Sequence, residues 1–266
     1  MKLIADCHIH SNTSPDAKDS IDSLCQSAIE KGLKVICITN HHDIFPGEPV
    51  PSDFLLDFKA YTEEIEKARD KYSHKLEILK GVEFGSPHRH PKEFEEILKQ
   101  DFDMIIASLH FLPMDYGIHW LWHSQETMVK EAGKYFVQRY YEEMEALTTA
   151  SGFQVLAHMD YPKSKMPIFN EIHHVNEEIF KNLLKNKAVV EINTKAFTKG
   201  CDSFHPHPDL LAEYAEVGGK YLTIGSDAHT KEDVGAHFQK VESYLENENF
   251  EIGYFKQKKF IPISGK

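Results

Sequence analysis

The chain has 266 residues, 41% hydrophobic and 27% charged, which suits one sizeable packed domain and excludes a disordered tail or a disulfide-stapled miniprotein. With 42 acidic against 30 basic residues the formal charge is −12, which excludes a broad cationic field for nucleic acid or anionic lipid but allows a local cationic pocket. No apolar run has the length to span a bilayer, and Asp6 and His8 arrive before a secretory apolar segment could form, so a cytoplasmic protein without membrane contact is expected.

Seven short apolar, β-branched runs alternate along the chain with longer segments of helical period. The first run, residues 3–7, leads to a helix over 20–31, with Ile21, Leu24, Ala28 and Ile29 on one face, Asp19 or Ser20 as N-cap and Gly32 as the stop. A strand over 35–39, a proline-rich loop over 42–53, a helix over 53–72 and a strand over 78–84 follow. Next come a helix over 92–99, a strand over 104–109, a second long loop over 111–125 and a helix over 126–150 closed by Gly152. Strands over 153–159, 188–193 and 221–226 then alternate with helices over 176–186, 207–217 and 231–247. Such strands, separated by helices, predict an α/β fold whose parallel sheet closes into a TIM-barrel-like (β/α) barrel. The alternative is an open doubly wound sheet. Against it, no G-x-G-x-x-G follows the first strand, and polar residues stand after every strand rather than at one switch point. No repeat, low-complexity stretch or Pro/Ser linker divides residues 1–266, so a single domain is expected.

Cys7, Cys25, Cys37 and Cys201 form no C-x-x-C pair and read as reduced core or near-core thiols. The 17 histidines carry more information, through their positions. The strand ends bear Asp6-Cys7-His8-Ile9-His10, Asn40-His41-His42-Asp43, Glu83, His110, His158-Met159-Asp160, Glu191-Ile192-Asn193 and Ser226-Asp227-Ala228-His229. In a β/α barrel those ends converge on one mouth. Alternate residues of a strand share a face, so His8 and His10 can offer two imidazoles to one ion, and Asp227 and His229 can face a common pocket.

Taken singly, each group has an ordinary explanation: His8 and His10 as unrelated histidines, His41 and His42 as loop residues bonded to backbone, Glu83 as the partner of a cation, His110 or His158 as a satisfied core histidine. Together they would bury several unpaired ionisable groups at one end of one barrel, each at a cost that bound metal ions remove. A metal site is therefore expected, and its mixed imidazole and carboxylate set suits Zn, Fe or Mn. His88, His90, His173, His174, His205 and His207 read instead as surface or capping residues.

In order, the motifs are Asp6-Cys7-His8-Ile9-His10-Ser11 with Ser14-Pro15-Asp16, Ile38-Thr39-Asn40-His41, Gly81-Val82-Glu83, Ala107-Ser108-Leu109-His110, Ala157-His158-Met159-Asp160, Glu191-Ile192-Asn193 and Gly225-Ser226-Asp227-Ala228-His229. This series resembles the PHP (polymerase and histidinol phosphatase) superfamily of metal-dependent phosphoesterases over essentially the whole chain. Its length and the Glu-Ile-Asn segment are most similar to the histidinol-phosphate phosphatase branch. The resemblance implies a distorted seven-stranded β/α barrel with up to three divalent ions. By that likeness His8 and His10 hold the first ion, Glu83 bridges it to the second, and Asp227 completes the first set. His110 and His158 hold the second ion, and Asp16, His41 and His229 the third. Asp16 stands where many relatives have histidine. Asn40 replaces an aspartate and receives no ligand role.

The implied chemistry is hydrolysis of a small phosphate monoester, most specifically L-histidinol phosphate in histidine biosynthesis, by solvent activated at the ions. Inversion at phosphorus is expected, with the leaving alkoxide protonated by water or by Asp160. Lys163, Lys195 and Lys199, with Lys165, are the cations available for the phosphate, where this branch uses arginines. Trp120 or Trp122 could stack on an imidazole substrate. A phosphatase or phosphodiesterase for nucleotides or other small phosphates is the alternative enzyme, and a metal-binding regulatory module is the alternative from another class. A nuclease lacks the basic, aromatic-lined track it would need.

Overall fold

The computed structural model describes residues 2–44, 54–114, 117–120, 126–164 and 175–263, with the backbone alone at 114, 117–120, 126–132 and 134. It is a mixed α/β fold around a central, mostly parallel sheet. In chain order the strands are β1 (Ala5–Ile9), β2 (Val35–Ile38), β3 (His41–His42), β4 (Glu77–Gly85), β5 (Met104–Ser108), β6 (Phe111–Met114), β7 (Gly117–Trp120), β8 (Val155–Leu156), β9 (Val189–Asn193), β10 (Tyr221–Gly225), β11 (Glu251–Lys256) and β12 (Lys259–Pro262). The helices are α1 (Ile21–Glu30), α2 (Phe58–Tyr72), α3 (Pro91–Lys99), α4 (Glu126–Thr148), α5 (Glu178–Asn186), the short α6 (Lys195–Thr198), α7 (Pro208–Glu216) and α8 (Phe238–Leu245).

The main sheet runs β1-β2-β4-β5-β8-β9-β10-β11-β12, with β3 paired to β4. All seven expected strands are in it, but the sheet has ten strands. The sequence reading missed two-residue β3 and the C-terminal hairpin β11–β12, whose antiparallel register pairs Gly253 with Pro262. A loop was also expected over 111–125, where the chain instead forms the β6–β7 hairpin, pairing Phe111 with Trp120. Ile9 makes a single parallel bridge to Ala228, and the His10 N–H donates to the Ala228 carbonyl at 2.8 Å, so β1 meets the segment leaving β10.

Helix starts follow local chemistry. Ser20 caps α1 by accepting from the Ser23 N–H, and Asp57 caps α2 by accepting from Lys59 and Ala60, so α2 begins at Phe58 rather than at 53. The helix expected over 231–247 is broken: a 3₁₀ turn spans Lys231–Asp233, Gly235 takes φ 62°, and α8 starts at Phe238. No helix among the described residues is long and apolar enough to cross a membrane.

Alternation along the strands divides the core in two. Ile36, Ile38, Ile105, Ala107, Val190, Ile192, Leu222 and Ile224 belong to the large cluster shared with the helices. Ala5, Cys7, Cys37, Leu79, Met104, Ile106, Val155, Ala157 and Val189 form a smaller cluster on the other face. That smaller cluster sets the direction of the site, since Glu83, Glu191 and His110 continue the alternation of Leu79, Val189 and Ile106.

A candidate metal centre at the strand ends

Glu83, near the end of β4, is fully buried, and imidazoles surround its carboxylate. One oxygen, Oε1, is 3.0 Å from His158 Nε2 and 3.2 Å from His110 Nε2. The other, Oε2, is 2.9 Å from His41 Nδ1, 3.4 Å from His8 Nε2 and 3.5 Å from His10 Nε2. β1 supplies its pair through a register irregularity between Asp6 and Ile9, which transfers the inward positions from Ala5 and Cys7 to His8 and His10. The Nε2 atoms of His8 and His10 then face each other at 3.0 Å.

The remaining expected ligands close the group. His10 Nε2 is 3.5 Å from Asp227 Oδ1, and Asp16 Oδ2 is 3.0 Å from His229 Nε2 and 3.6 Å from His41 Nε2. All nine residues expected as ligands (His8, His10, Asp16, His41, Glu83, His110, His158, Asp227 and His229) thus gather at one end of the sheet. Ligand atoms fall within 4.8 Å of one another in four sets: Glu83, His110 and His158; His8, His10 and Asp227; His10, His41 and His229; His41, Asp43 and His110. His158 and Asp227 reach these positions with φ of 27° and 52°, a left-handed backbone that costs about 1–3 kcal/mol at a non-glycine residue.

The residues fit divalent ions on their own chemistry. Among the described residues, Glu83 Oε2 and His41 Nδ1 are buried without a directed hydrogen bond, although they lie 2.9 Å apart, and His10 Nδ1 and His158 Nδ1 have no partner. Five imidazoles cannot all hydrogen-bond to one carboxylate, whereas cations between them would satisfy the facing lone pairs. Burial opposes the Glu83 charge, but His110, His8 and His41 outweigh it and hold the carboxyl well below its ordinary range. Burial likewise opposes charge on His110, yet Asp43 and Glu83 push that imidazole up to about 10.

Carboxylates behind the imidazoles fix their orientation, the usual arrangement behind metal-bound histidine. Glu191 Oε1 is 2.7 Å from His8 Nδ1, while Asp43 accepts from His110 Nδ1 at 3.0 Å. Gly225 makes the first contact possible: a Cβ there would lie 2.3 Å from Glu191 Oε1 and 2.4 Å from His8 Cβ. Neither carboxylate received a role from the sequence. The available signal was their place at strand ends beside expected ligands. Asn40 accepts from the Ser11 N–H at 2.7 Å and from Ser14 Oγ at 3.2 Å, so it organises the loop that carries Asp16.

Three residues read differently from the sequence share an internal cluster. Asp160, expected as a proton donor, lies buried between His205 Nδ1 at 2.6 Å, Lys163 Nζ at 3.0 Å and the His207 N–H at 2.8 Å. Burial raises its pKa, but Lys163 and His205 override that and keep the carboxyl ionised, well below the usual range. Lys163, expected as a phosphate cation, is buried, also donates to Ser203 Oγ and the Phe204 carbonyl, and does not line the cavity on the centre. His205, read as a surface or capping residue, is 1% exposed and is part of this internal cluster.

Lys195 and Lys199 do line a cavity of about 510 Å³ that opens on the centre, with Phe54, Tyr161 and Asp233. Lys165, Trp122, His173 and His174 lie outside the described residues, as does the Trp120 side chain. A second cavity, about 620 Å³, lies at the start of β4, where Arg69 pairs with Asp103 and Lys256 with Glu77; no residue of the centre lines it.

Known proteins share this architecture. The histidinol phosphate phosphatase of Lactococcus lactis, solved as a complex with Zn, L-histidinol and phosphate, has a TM-score of 0.77 and 25% identity, covering 98% of this chain and 100% of that one. The histidinol-phosphatase of Lactococcus lactis is 28% identical over 84% of this chain and 83% of its own. The Clostridium acetobutylicum protein named "probable histidinol-phosphatase" is 28% identical over 96% and 98%. The PHP domain matches residues 6–195, which hold seven of the nine expected ligands, and on that match the chain belongs to the PHP domain family.

Proposed function

We propose that this protein is a metal-dependent phosphomonoesterase that hydrolyses L-histidinol phosphate to L-histidinol and phosphate, as a step of histidine biosynthesis in the cytoplasm. The observation that carries the reading is the buried Glu83 carboxylate shared by five imidazoles from four parts of the chain, beside a cavity with cations on its wall. The Lactococcus lactis relative solved with Zn, L-histidinol and phosphate supports the ester.

In this reading His8, His10, Glu83 and Asp227 hold one divalent ion, Glu83, His110 and His158 a second, and Asp16, His41 and His229 a third. Zn, Fe and Mn all suit the set. Bound there, such ions supply charge neutralisation for the phosphoryl oxygens and activate water near neutral pH. The chain's own contribution is positional. Glu191 and Asp43 orient two imidazoles, Lys195 and Lys199 offer cations to the phosphate, and Tyr161 and Phe54 wall the cavity. The leaving alkoxide takes its proton from solvent. Residues 1–266 act as a single domain, a distorted barrel whose mouth is this site; the Ile9–Ala228 bridge supports that closure. With a formal charge of −12 and no basic track, nucleic acid is no partner.

The test is a substrate panel assayed with Mn, Fe or Zn present. L-histidinol phosphate should be hydrolysed faster than nucleotide or sugar phosphates, with loss of activity on exhaustive chelation. Faster hydrolysis of a nucleotide would assign the site to another ester, and chelator-resistant turnover would overturn the metal reading.

A further inference from the structure

Five carboxylates line the cavity among its described residues, and four belong to the centre: Asp16, Glu83 and Asp227 as expected ligands and Asp43 behind His110. The fifth, Asp233, pairs with Lys195 rather than with an imidazole of the centre. It ends the 3₁₀ turn Lys231–Asp233 and is ion-paired to Lys195 Nζ at 3.2 Å, with side-chain exposures of 25% and 14%.

Both partners are held in register with the centre. The Thr194 hydroxyl donates to the Ala236 carbonyl at 2.7 Å, which ties the start of α6 to the segment carrying Asp233. The Lys195 N–H donates to Asn193 Oδ1 at 3.0 Å, and Asn193 Nδ2 reaches Asp227 Oδ2 at 3.3 Å. The pair is thus a fixed feature of the cavity wall, one residue chain away from an expected metal ligand.

We propose that Asp233 is a specificity residue that takes the ammonium group of an amine-bearing phosphate ester, by exchange of its partner. The ester's phosphate draws Lys195, and Asp233, released from that lysine, accepts the ester's ammonium. A doubly charged ligand replaces one ion pair by two, whereas a phosphate ester without an amine would leave Asp233 unpaired in a half-buried position. Discrimination then comes from the cost of that unpaired carboxylate as much as from the new contact. The proposal deepens the phosphatase reading above and rests on it for the phosphate end.

The test compares L-histidinol phosphate with N-acetyl-L-histidinol phosphate, which differ in the charge of the amine, on the metal-loaded enzyme. The wild type should favour the free amine in kcat/KM by about tenfold or more, the worth of one charge-assisted hydrogen bond, and Asp233→Asn should bring the ratio close to one while Asp233→Glu restores a preference. An unchanged ratio in Asp233→Asn overturns the assignment. Calorimetry of L-histidinol and its N-acetyl derivative reads the subsite without turnover: weaker L-histidinol binding in Asp233→Asn supports it, equal binding overturns it. Tight, Asp233-dependent L-histidinol binding with no hydrolysis of either ester would instead sink the phosphatase reading and leave the ammonium subsite standing.

Discussion

Glu83 is where the cost and the use of the centre meet in one side chain. A carboxylate buried among five imidazoles is tolerable only if charge is shared across it, and in the proposed reading Glu83 would serve two ions. Glu83→Gln keeps the shape and removes the anion. Residues that merely orient a metal ligand cost about 10–100-fold in metal affinity when lost, so removing a direct ligand should weaken binding by at least about 100-fold. Elemental analysis of purified Glu83→Gln should show fewer ions per chain than wild type; an unchanged content would remove Glu83 from the centre. At this scale the residues that gather around Glu83 were readable as candidates because most of them are imidazoles and acids at strand ends. The pairing of Asp160 with Lys163 is not readable at this scale, because the sequence gives no sign that both turn inward beside His205.

Among the elements, α4 and the β4–α3 connection are joined by a clamp away from the centre. Glu143 of α4 accepts from His88 Nε2 at 2.6 Å and from Arg89 Nη2 at 2.6 Å. Burial raises the Glu143 pKa, but His88 and Arg89 outweigh it and bring the carboxyl from its ordinary 4.5 down to about 2. Because the folded-state value is depressed, the stabilisation is complete above about pH 4.5 and disappears as pH falls through about 2. Urea unfolding of chelator-treated protein across that window should therefore show a loss of stability that is smaller in Glu143→Gln, while equal slopes for both proteins would show that the clamp carries no such linkage. Proline-flanked His88 gave no hint of this partner, since the helix that supplies Glu143 lies more than fifty residues along the chain.

The whole molecule brings together groups from residue 8 to residue 229, so ions bound between them join distant parts of the chain. Binding to the folded state alone stabilises by about 2.7 kcal/mol at 100 times Kd, which for a chain of this size raises the unfolding midpoint by about 5–10 °C. Calorimetry with and without added Zn or Mn should show that rise and its loss on chelation; a midpoint indifferent to metal would mean that no ion links these elements.

Taken by itself, the sequence determined the alternation of strand and helix, the seven inner strands and the residue types at their ends, because side-chain periodicity and ligand chemistry are local properties. The imidazoles and acids at the strand ends were legible for that reason, while their assignment as nine ligands, Asp16 among them, came from the family resemblance. What only the tertiary structure decided was pairing: the irregularity that turns His8 and His10 inward, the carboxylates of Asp43 and Glu191 behind their imidazoles, the hairpins at 111–120 and 251–262, and the internal ion pair that withdraws Lys163 from the cavity while Lys195 stays on its wall. The carboxylate–imidazole pairs join residues far apart along the chain, and burial, which sets the charge state of each group, exists only once the sheet has assembled.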